Sequence, residues 1–111
     1  MTKDFLPHSL DVEKYCLAAL LQHPEIISDY IPFVKAGAFY NEFNEIIFDS
    51  VKSLHSTLGV VEKVLLIQQI NNLGITVKAD VSVEDYVLGL YGFTVNLESV
   101  AKYFRELNKY H

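Results

Sequence analysis

Any chemistry in this chain would have to start from its glycines, acids, histidines or its one cysteine. A nucleoside-triphosphate site needs a glycine-rich loop ending in Lys-Ser/Thr, whose backbone amides and lysine cradle the phosphates. The five glycines stand apart, and the closest pair, in Gly89-Leu90-Tyr91-Gly92, lacks the Lys-Ser/Thr. Neither a nucleophile elbow nor a zinc-protease helix motif is present. His8, His23, His55 and His111 lie far apart, none at the i, i+4 spacing that puts two ligands on one helix face. The acids form no obvious catalytic pair. Enzymatic activity, a metal site and a bound cofactor are therefore not expected.

Single residues of chemical interest have quieter readings. Cys16 sits inside a helical pattern, where a free cysteine behaves as a small buried apolar residue more often than as a reactive thiol. His55, near the end of a helix, reads as a partner of the C-terminal dipole or a surface residue. Glu13 projects close to an apolar stripe, which is unusual for a carboxylate. Its expected role is a first-turn acid favoured by its own helix's free amides, with a buried, partner-facing role as the alternative. Tyr86, Tyr91, Phe93, Tyr103, Phe104 and Tyr110 could stack bases of single-stranded nucleic acid, but that function wants a basic groove beside them.

The charge supplies no such groove. Lys and Arg total 9 against 14 Asp and Glu, a net charge of -5, and no two basic residues are adjacent. Duplex binders neutralise phosphate with clustered bases, so core packing and protein contact are the better uses of the aromatics. One cysteine rules out an internal disulfide. No run approaches the eighteen or so apolar residues of a membrane span, and Met1-Thr2-Lys3-Asp4 does not open a secretory signal. The setting implied is soluble, reducing and cytoplasmic.

The elements that would position these residues are helices. With 111 residues, half of them hydrophobic, the chain fits one domain. Ser9 is the expected cap of a first helix carrying Leu10, Leu17, Leu20 and Leu21 on one face. Pro24 opens a short second helix to about Tyr30, with one more turn at 33–35 before Gly37. Asn41 caps the longest helix, where Phe43, Ile46, Ile47, Val51, Leu54 and Leu58 repeat at three-four spacing until Gly59. A fourth helix over about 62–73 turns Leu66, Ile67, Ile70 and Leu73 inward. Its Val64 and Leu65 fall off the stripe, so it reads as covered on two sides. Residues 75–81 read as a loop.

Ser82 begins a capping-box pattern for a fifth helix to about Tyr91, burying Val83, Tyr86, Val87 and Leu90. Asn96 caps a sixth, striped by Leu97, Val100, Ala101, Phe104 and Leu107 and flanked by Tyr103 and Tyr110. No stop signal follows Lys109-Tyr110-His111, which reads as a chain cut inside a longer protein. The fold class is all-α, a small irregular bundle of about six helices.

The order of these signals resembles the N-terminal domain of the DnaB-type replicative DNA helicases. Leu6-Pro7-His8-Ser9-Leu10-Asp11-Val12-Glu13 and the following Cys16-Leu17-Ala18-Ala19-Leu20-Leu21 are similar to the family's opening. Ala38-Phe39-Tyr40, Ile47-Phe48, Leu54 and Gly59 match its next landmarks, and Asn96 to Tyr103 resembles the start of its first long hairpin helix. The likeness runs from about Leu6 to Arg105. Ala18 stands where the family often has Gly, and Lys78 to Ser82 replaces a common Gly-rich step. Such departures point to a divergent member, of the sort a phage would encode.

The resemblance implies a domain without the ATPase motor, whose ATP and Mg sites lie in a separate C-terminal domain. It implies pairing into a collar that docks a primase's helicase-binding domain and, in some systems, a helicase loader. Residues 1–92 would then be a globular head, and residues 96–111 the first arm of a helical hairpin lacking its second arm. Leu97, Val100, Tyr103, Phe104, Leu107 and Tyr110 are the expected self-association residues, with Tyr103, Leu107 or Tyr110 left partly uncovered. No direct contact with nucleic acid or membrane is expected. Two alternatives remain: the helicase-binding domain at a primase C-terminus, whose fold is similar, and a helical DNA-binding regulator. The Pro7-His8-Ser9 opening close to Met1 favours the helicase side. The long helix, with Glu42, Glu45 and Asp49 against Lys52, would repel phosphate.

Overall fold

Cys16-Leu17-Ala18-Ala19-Leu20 is apolar on every side, and a helix hydrophobic all round must be covered all round. A computed structural model, which describes residues 10–74 and 82–109, places this run at the centre of the bundle. Helix α1 (Leu10–Gln22) buries all five of these residues completely. Around it lie α3 (Glu42–Leu58), α5 (Val83–Tyr91) and α6 (Val100–Lys109), while α4 (Lys63–Asn72) bridges α3 and α5. A 3-10 turn (Pro24–Ile26) runs into the short α2 (Ile27–Tyr30), and a second (Leu97–Ser99) runs into α6. No strand occurs among the described residues, so the chain is all-α as its periodicity indicates.

Local signals fix most helix ends. The Asn41 side chain accepts from the Asn44 amide at 3.0 Å, Ser82 from Asp85 at 3.0 Å, and Asn96 from Glu98 at 2.9 Å. Each satisfies an amide that the helix leaves unpaired. Gly59 closes α3 with φ at 76°, a left-handed conformation that side chains disfavour. Pro24 begins its turn as expected, since its missing N–H would be unpaired there anyway. The Ser9 cap and the 75–81 loop fall outside the described residues.

Aromatic stacking seats α6 on its neighbours. Tyr103 stacks on Tyr15 of α1 with ring centroids 3.9 Å apart, and Phe104 stacks on Tyr30 of α2 at 4.1 Å. Tyr15 also holds the approach to α6, since its hydroxyl donates to the Asn96 carbonyl and accepts from the Asn96 amide. At the other end, Asn108 donates to the Phe33 carbonyl and accepts from the Lys35 amide.

Several expectations from the helical stripes need correction. Leu10, Leu58 and Leu73 are exposed, because each lies at a helix end that no other described helix covers. Helix α4 is covered unevenly: Leu66 and Ile70 are buried and Leu65 packs half-buried against the core, whereas Val64 is 67% exposed. Tyr86 is half-buried, its ring inside and its hydroxyl engaged by Asn44. Val100, Phe104 and Leu107 belong to the same core as α1, because the apolar circumference of α1 needs a cover on that side.

Candidate interaction site

Glu13 and Asn44 form a buried polar node. Glu13 is 2% exposed, and its carboxylate faces the start of α3. It accepts from the Tyr40 amide at 2.8 Å, the Asn41 amide at 3.3 Å and the Asn44 side-chain amide at 2.9 Å. The Tyr86 hydroxyl then donates to the Asn44 Oδ1 at 2.7 Å, so α1, α3 and α5 share one hydrogen-bond chain. Glu13 therefore does not serve the dipole of its own helix. It supplements the cap of another helix, giving an acceptor to two part-buried backbone amides and to the buried Asn44 side chain. No buried side-chain polar atom among the described residues lacks a partner. This node is complete and holds the fold; nothing in it is directed at a substrate.

Cys16 is buried in the same region, and burial, with Glu13 adding to it, raises its thiol pKa far above the ordinary value. A thiol kept protonated is a poor nucleophile, which agrees with its reading as a core residue. Burial likewise raises the pKa of Tyr86 and Tyr91. Among the described residues no group of three or more His, Cys, Asp or Glu is placed to hold a metal.

The six expected self-association residues do not share one surface. Val100, Phe104 and Leu107 are sunk in the core, so none of them is available to a second chain in this fold. Of Tyr103, Leu107 or Tyr110, expected to be left partly uncovered, Tyr103 is half-buried and Leu107 is buried in the core. A polar substitution there would report on folding rather than association. Tyr103 is half-buried against Tyr15, Leu97 is 48% exposed, and Tyr110 lies outside the described residues. The outward face of α6 instead carries Lys102, Arg105 and Lys109, all exposed, with Lys109 paired to Glu106 at 3.7 Å.

A second surface was missed by the sequence reading. Where α3 turns into α4, a groove of about 330 Å³ is lined by Pro24, Ile27, His55, Val60, Val61 and Glu62. Beside it in the chain, Leu58, Val60 and Val64 are exposed apolar residues. The available signal was Val64, which falls off the α4 stripe. It marks a side of the corner that the described residues leave open. Among the described residues no helix is long and apolar enough to cross a membrane.

A family model described as the DnaB-like helicase N terminal domain matches residues 6–109. Among curated proteins and among solved structures, none matches the chain.

Proposed function

Because this chain belongs to the DnaB-like helicase N-terminal domain family, we propose that it is the assembly and docking domain of a replicative DNA helicase, with no catalysis of its own. One observation carries the reading: the family match spans residues 6–109, nearly the whole chain. The geometry supports it in kind. The polar groups are consumed in holding helices together, and what reaches the surface is apolar or charged contact area rather than a reactive constellation.

In this role the domain associates with further copies of itself and presents docking surface to the helicase-binding domain of a primase, or to a helicase loader. It binds neither nucleic acid nor membrane, and the ATP and Mg chemistry belongs to a motor domain of the parent protein. Cytoplasmic localisation follows from the same role.

Sedimentation of the isolated chain over a wide concentration range tests the assembly reading. Reversible mass-dependent association is expected, and addition of a cognate primase's helicase-binding domain should give a heavier complex. A chain that stays monomeric throughout and gives no complex would remove the basis for the proposal.

A further inference from the structure

We draw no further inference here: the strongest candidate, the groove at the α3–α4 corner walled by Pro24, Ile27, Val60 and Val61, is an open apolar face, and nothing in the structure shows what covers it.

Discussion

The seam between α1 and α6 and the corner between α3 and α4 use similar residues to opposite ends. At the seam, Val100, Phe104 and Leu107 disappear into the core and Tyr103 stacks on Tyr15 across it. At the corner, Leu58, Val60 and Val64 stay at the surface beside an open groove. Both are runs of apolar side chains at helix faces or ends. What separates them, among the described residues, is whether another segment arrives to cover them. The inner face of α6 is thus an internal support, while the corner keeps apolar side chains at the surface.

Substitutions can break or sharpen this contrast. The largest effect is expected at the seam: Phe104→Ala removes a fully buried ring stacked on Tyr30. It should cost about 3–5 kcal/mol of unfolding free energy in urea titration. A loss below about 1 kcal/mol would mean that α6 is not part of the core. Next comes the polar node that joins α1, α3 and α5. Glu13→Ala would strand the Tyr40 and Asn41 amides and the Asn44 side chain, at a cost of about 2–3 kcal/mol. Glu13→Gln, which keeps an acceptor there, should recover part of that loss. The smallest effect belongs to the corner: Val64→Ser should change stability by no more than about 0.5 kcal/mol. A large loss there would mean the corner is already covered.

How far the sequence reaches can be judged residue by residue. The Asn41, Ser82 and Asn96 caps and the Gly59 stop were legible because each acts within a few residues of itself. The exposure of Leu73 and Val64 was not, since periodicity marks which face is apolar but not how far a neighbour extends along it. Glu13 shows the same limit in polar form. Its closeness to an apolar stripe marked it as unusual, but its partners are 27, 28 and 31 residues away. The groove was hidden for a related reason: its walls come from Pro24 and Ile27 on one side and from residues 55–62 on the other.

Sequence alone determined an acidic, all-helical chain without catalytic or nucleotide-binding motifs, and the order of its signals already resembled a helicase N-terminal domain. These properties follow from local hydrogen bonding, periodicity and composition, which need no knowledge of distant segments. Tertiary structure decided which apolar faces are spent on folding and which remain for partners. Burial is a property of pairs of surfaces, and a helix cannot carry in its own residues the identity of what will lie against it.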